Sequence, residues 1–202
     1  ADGPLNLYQA VQVACSSRAQ DQGVLVLLND QIHSARFLSK QHTTQTGAFG
    51  SPDAGPLGLV AGGQARFMMR SLLPHTHSSL FDVRSLHSLP KVQIFYDHPD
   101  TLAELYRHAA QSGVQGLVVA ATGNGSLTPG ALEGVSLAHR LGVVCVRASR
   151  IPAGPVAESG YGADHQTSGA HCLPAQRARI LLVLSLANKL EHDEIEAVFR
   201  DY

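Results

Sequence analysis

"VQIFYDHPDTLAELYRHAAQSGVQGLVVAATGNGSLTPGALEGVSLAHRLGVVCVR" (residues 92–147) decides the fold class. It reads strand, helix, strand, helix, strand. Residues 92–96 (VQIFY) are a short apolar run rich in β-branched and aromatic side chains, which predicts a strand. Leu102, Leu105, Tyr106, Ala109 and Ala110 then recur at helical spacing on one face. Gly113 suits the left-handed cap that ends such a helix. Residues 114–121 (VQGLVVAA) are the next strand. Thr128-Pro129 opens a second helix, which Gly142 closes, and residues 143–147 (VVCVR) are a third strand. This alternation predicts parallel βαβ units with right-handed crossovers. Further on, residues 152–172 read as loop and residues 175–190 as a buried helix, apolar nearly all round. Ile195, Val198, Phe199 and Tyr202 mark a last amphipathic helix.

Upstream the texture changes. Gly3-Pro4 suits a helix start, and Leu7, Tyr8, Val11 and Cys15 fall at helical spacing behind it. "VLVLLND" (24–30) predicts a buried strand ended by Asn29-Asp30. Residues 31–70 are rich in glycine and turn residues and predict a long hairpin or irregular extension, with short strands near 57–60 and 65–69. Residues 71–90, with Pro74, Ser78-Ser79 and Pro90, have the texture of a connection between two parts. The predicted organisation is α/β: a partial N-terminal α/β domain over 1–80, a linker at 81–91, and a smaller flavodoxin-like parallel α/β domain over 92–202.

Lys and Arg number 15 against 16 Asp and Glu, which leaves no basic footprint for nucleic acid or an anionic membrane. The longest apolar run, "ILLVLSLA", is too short to span a bilayer. Cys15, Cys145 and Cys172 match neither a disulfide framework nor a zinc pattern, and Cys145 in "VVCVR" reads as a buried thiol.

In open parallel sheets ligands bind beyond the carboxyl ends of the strands. "ATGNGSLTPG" (121–130) is the best such loop: Gly123 and Gly125 allow a tight turn, and the helix beyond offers its positive end. A dinucleotide reading fails twice, because Thr128 stands at the third glycine position and the next strand ends in Arg147 rather than an acid. From composition alone, a plain glycine-rich turn remains the simpler reading. Lys40 is the one lysine in a long polar-aliphatic stretch. It is either a solvated loop residue or a group that serves as a base or polarises a hydroxyl. His75 and His77 alternate as two ligands on a strand face do, but no metal-binding spacing supports them, so no metal or other cofactor is expected. No G-x-S-x-G elbow is present.

Together these stretches resemble the bacterial asparaginase and glutaminase-asparaginase family of Thr-dependent amidohydrolases. The matches run in order through "ADGPLNLYQAV", "GVLVLLND", "IHSAR" with Lys40, "GPLG", "HT" before "FDV", "LPKV", "ATGNGS", "VVCVRASRIP" and "LPAQRARILL". The resemblance implies hydrolysis of L-asparagine to L-aspartate and ammonia through a threonyl ester, with L-glutamine as a second substrate, in a homotetramer built from close dimers. It implies that Lys40 is the catalytic lysine and that the Gly123–Gly125 loop reaches a neighbouring subunit's active site. Ser126 then stands near the substrate's α-amino side, and Asn124 shapes the loop. An acid after the S-R-[VI]-P stretch binds that amino group in the family. Glu158 is the nearest here, although residues 159–172 depart from the family pattern.

The family's T-G-G-T motif, with the nucleophilic threonine, and its T-D-T motif are absent from these residues. The chain therefore reads as the C-terminal two-thirds of such an enzyme, inactive alone. The alternative is a non-catalytic relative that binds a small amino acid or only assembles with partners. Loss of a parallel sheet's first strands exposes an edge and an apolar face, so residues 1–80 are expected to pack poorly while 90–202 fold.

Overall fold

The computed structural model describes residues 2–157 and 166–202. The chain divides into two compact units, residues 1–80 and 81–202.

In the N-terminal unit, helix α1 (Gly3–Ala14) precedes strands β1 (Leu25–Leu28), β2 (Gln31–Ser34), β3 (Ser39–Lys40), β4 (Phe49–Gly50), β5 (Gly58–Ala61) and β6 (Gln64–Phe67). The main sheet runs β1-β2-β5-β6, and every pairing in it is antiparallel. The turns explain this. Asn29 and Asp30 both have positive φ (51° and 59°), as do Gly62 and Gly63 (59° and 73°). Two such residues in a row make the tight turn that joins antiparallel neighbours and no others. The parallel βαβ pattern therefore does not extend to this sheet. Residues 31–70, expected to form a long hairpin or irregular extension with short strands near 57–60 and 65–69, hold three strands of this sheet, β2, β5 and β6, while β3 and β4 form a separate antiparallel ribbon.

The core of this unit is small: Val13, Leu27, Ile32 and Val60, flanked by half-buried Ala10, Leu25 and Phe67. Of β1, expected to be buried, only Leu27 is buried. Helix α1 docks through Val13 and Gln9, while Leu7, Tyr8 and Val11 are each more than half exposed. The helical spacing was legible, but it marks a second apolar stripe rather than the one that meets the sheet.

The second unit contains β7 (Val92–Tyr96), α2 (Ala103–Gln111), β8 (Gly116–Ala121), α3 (Pro129–Arg140), β9 (Val144–Ser149), β10 (Thr167–Gly169), α4 (Ala175–Ala187) and α5 (His192–Asp201). Its sheet is wholly parallel, in the order β7-β8-β9-β10. Strand β8 is buried at all six positions, as a strand covered on both faces must be. Tyr106, Leu117, Val119 and Val135 fill the layer under α2 and α3. Val118, Val146, Leu182 and Phe199 fill the layer under α4 and α5. Cys145 is wholly buried, and burial pushes its thiol up to about 12. Phe81 rests on Tyr202 with ring centroids 5.4 Å apart.

Residues 152–172 read as loop but contain β10, whose Thr-Ser-Gly carries no strand composition. Its place comes from parallel pairing with residues 145–147 of β9. Helix α4 ends three residues earlier than expected, before Lys189 turns to φ 58°. Among the described residues no helix is long and apolar enough to cross a membrane.

Candidate functional site

Three parallel strands of the C-terminal unit end side by side, and the loop after β8 lies at that end. Ser126 N–H donates to Thr122 O (2.9 Å), and Thr122 N–H and Oγ1–H both donate to Ser126 O (3.2 and 2.9 Å). The residues between close a tight loop with Gly123 at φ 49° and Gly125 at φ 77°. A Cβ on Gly125 would stand 2.6 Å from Val156 Cγ1 and 2.9 Å from Arg147 Nη1, so both conformation and space demand glycine there.

Side chains from β9 hold the loop from below. Ser149 Oγ donates to Gly123 O at 2.7 Å. Arg147, wholly buried, donates from Nη1 to Gly125 O (3.1 Å), from Nη2 to Ala157 O (3.1 Å) and from Nε to Thr167 Oγ1 (2.8 Å). Asn124, exposed, accepts a hydrogen bond from Ala157 N–H at 3.0 Å through Oδ1. Ser126 is half-buried.

The positive end of α3, expected to welcome an anion, already has one from the chain itself. Asp97, buried at the end of β7, accepts from Thr128 N–H (2.8 Å), Thr128 Oγ1 (2.7 Å) and Thr101 Oγ1 (2.9 Å). Thr128 in turn caps the helix by accepting from Ala131 N–H at 3.3 Å. Burial first, and the Asp97 charge second, hold the Tyr106 hydroxyl above its ordinary range. The α3 end is therefore a closed internal cap, and of the loop before it Asn124 is exposed and Ser126 half-buried.

Lys40 belongs to the N-terminal unit. It is exposed on β3 opposite Phe49 of β4, with Nζ 5.6 Å from the ring centroid. In the same unit His33 Nδ1 and Ser51 Oγ lie 2.9 Å apart and buried, and burial lowers the His33 pKa. His75 and His77 do not share a strand face: His75 caps a short 3-10 turn and His77 lies inside it, with His75 Nδ1 meeting Thr76 Oγ1 at 2.6 Å and His77 facing Asp21. Among the described residues no cluster could hold a metal ion.

Of the four site residues expected from sequence, Asn124 and Ser126 share one loop, Lys40 stands in the other unit, and Glu158 lies outside the described residues. Sequence reasoning used Arg147 only to exclude a dinucleotide and passed over Asp97. Their signal was available: Asp97 is an acid directly after the carboxyl end of a parallel strand, where functional groups gather, and Arg147 is a lone charge inside the apolar run 143–148.

Two family models cover most of the chain: asparaginase, N-terminal, matches residues 1–73, and the glutaminase/asparaginase C-terminal domain matches residues 91–199. The chain is 38% identical over 202 residues to L-asparaginase 2 of Bacillus subtilis (strain 168), covering all of this chain and 54% of that protein. It is 37% identical over 205 residues to the glutaminase-asparaginase of Pseudomonas fluorescens biotype A, covering all of this chain and 56% of the relative. With L-asparaginase 2 of Escherichia coli (strain K12) the identity is 33% over 204 residues, covering all of this chain and 59% of the relative. The chain thus spans a little over half the length of these curated relatives. On the match of both domain models in order, this chain belongs to the glutaminase/asparaginase family.

Proposed function

We propose that the full-length protein is an amidohydrolase that converts L-asparagine to L-aspartate and ammonia, and acts on L-glutamine as well. The observation that carries this is the family match across both units, including relatives named L-asparaginase and glutaminase-asparaginase.

In the proposed reaction a threonine hydroxyl, outside these residues, attacks the side-chain amide carbon of the substrate. The C–N bond breaks, ammonia leaves with the transferred proton, and an acyl ester joins substrate to threonine. Water then cleaves that ester, releasing aspartate and restoring the hydroxyl. Lys40 acts as the catalytic lysine. Its positive charge favours the proton-poor form of the neighbouring hydroxyls. An exposed lysine on a short two-stranded ribbon fits a group that is completed by another segment.

Ser126 and Asn124 form the part of the substrate site nearest the α-amino group, and Glu158 supplies the carboxylate for it. No cofactor takes part. The working assembly is a homotetramer in which the Gly123–Gly125 loop contributes to a neighbour's site.

The test is ammonia release from L-asparagine and L-glutamine by the full-length protein and by the 202-residue chain, each with its intact mass verified. Release by the full-length protein alone is the expected result. Turnover by the 202 residues alone, lost on Lys40→Ala, would place the nucleophile within them and overturn the threonyl-ester reading. A full-length protein that binds asparagine without releasing ammonia would be the non-catalytic relative, which the absence of both threonine motifs from these residues allows.

A further inference from the structure

We propose that Arg147 is a positioning residue: its buried guanidinium locks the Gly123–Ser126 loop to the chain at Val156 and Ala157, and so sets the geometry with which this loop holds substrate. This rests on the reading that Asn124 and Ser126 contact substrate.

Burial gives the first reason. Arg147 is wholly buried, and its neighbours along the same face of the sheet, Val119 and Cys145, are buried and uncharged. Taking a guanidinium out of water is expensive, and an apolar side chain of similar volume fills such a place with less penalty. Packing therefore does not explain an arginine here.

The second reason is what the fork reaches. Three nitrogens donate to three separate segments: Nη1 to Gly125 O in the loop after β8, Nη2 to Ala157 O, and Nε to Thr167 Oγ1 on β10. A planar, rigid guanidinium fixes the mutual position of three acceptors, which neither lysine nor an apolar residue can do. Gly125 is shaped for the contact, since a Cβ there would stand 2.9 Å from Nη1. Asn124 closes the arrangement from the loop side by accepting from Ala157 N–H at 3.0 Å. Both backbone polar groups of Ala157 are thus held, one by Arg147 and the other by the loop that Arg147 holds.

The experiment uses the full-length protein with Arg147→Met, Arg147→Lys and Thr167→Val. It reads amide hydrogen exchange at Ser126 and Ala157 together with KM and kcat for L-asparagine. A loop that binds the unreacting end of the substrate equally in ground and transition states moves KM and leaves kcat nearly unchanged. Arg147→Met is expected to speed exchange at both amides and to raise KM on the order of tenfold, the scale of a lost charged hydrogen bond. Arg147→Lys is expected to recover part of both effects. Thr167→Val, which keeps the side-chain shape and removes only the Nε acceptor, gives a smaller change in the same direction. It decides the matter if both Arg147 variants fail to fold.

Unchanged exchange at both amides in a folded variant would overturn the proposal. So would a fall in kcat with KM constant. If the unsubstituted protein releases no ammonia from either amide, the functional reading fails by itself, and amide exchange alone decides the clamp.

Discussion

Asp97 and Thr128 are joined by two hydrogen bonds, 2.8 Å from the Thr128 N–H to Oδ2 and 2.7 Å from its hydroxyl to Oδ1. One carboxylate at the end of β7 thereby fixes the residue that caps α3. Asp97→Asn replaces one acceptor oxygen with a donor and sets it against these donors, so the C-terminal unit should lose about 1–3 kcal/mol. Thr128→Ala should lose about 1 kcal/mol, as capping residues do. Because the two share one network, the double variant should lose less than the sum, as read by urea unfolding. Simple additivity would show that the pair is not coupled.

Gly125→Ala should be far more damaging than Gly123→Ala. Both have positive φ, but only at Gly125 does a Cβ meet other atoms, whereas at Gly123 nothing stands within 4 Å. Backbone strain alone amounts to about 1–3 kcal/mol at such positions. The steric conflict with Val156 and Arg147 adds to it. Thermal melts of the two variants check this, and equal midpoints would contradict it.

The His33 pKa is lowered from an ordinary 6.5 by burial. Below 6.5 the unfolded chain therefore binds a proton that the folded unit resists. The stabilising contribution is fully present above 6.5 and is lost as pH falls through the lower folded value. His33→Gln should flatten the dependence of the N-terminal unit's stability on pH in this acidic range. Parallel curves for variant and parent, from denaturant titrations at several pH values, would count against it.

Of the three cysteines, Cys15 and Cys172 are exposed and Cys145 is buried with its thiol pushed up to about 12. A thiol-reactive dye should label two sites quickly in the native protein. The third should label only on unfolding, because the thiolate is the reactive form. Fast labelling of all three under native conditions would mean that the β8–β9 layer opens readily.

Amide exchange should protect the C-terminal unit more than residues 1–80. The first rests on two extended apolar layers, the second on a cluster of four buried residues beneath one helix. Stability of local opening follows buried apolar contact. Equal protection in both units would refute this.

The parallel half of the fold was legible because its signals are local. Leu105, Tyr106 and Ala109 state a helix by their spacing, although of these only Tyr106 and Ala109 are buried; Gly113 and Gly142 state the ends of this helix and of α3, and the run at 114–121 states a strand, formed over Gly116–Ala121. The glycine loop and its place after a strand were also readable, as was the burial of Cys145. These properties depend on residues within a few positions of one another, and backbone sterics and apolar periodicity determine them wherever the segment ends up.

Tertiary structure decided what depends on distant partners. Thr167–Gly169 became a strand because β9 offered an unpaired parallel edge, not because of its composition. Helix α1 turned Val13 rather than Leu7 and Val11 toward the sheet because the sheet presents one apolar face and a helix can bury one stripe against it. Asp97 and Arg147 acquired their partners across 31 and 22 residues of chain. A buried charge must find hydrogen-bonding groups wherever the fold brings them, and no spacing in the sequence specifies which ones those will be.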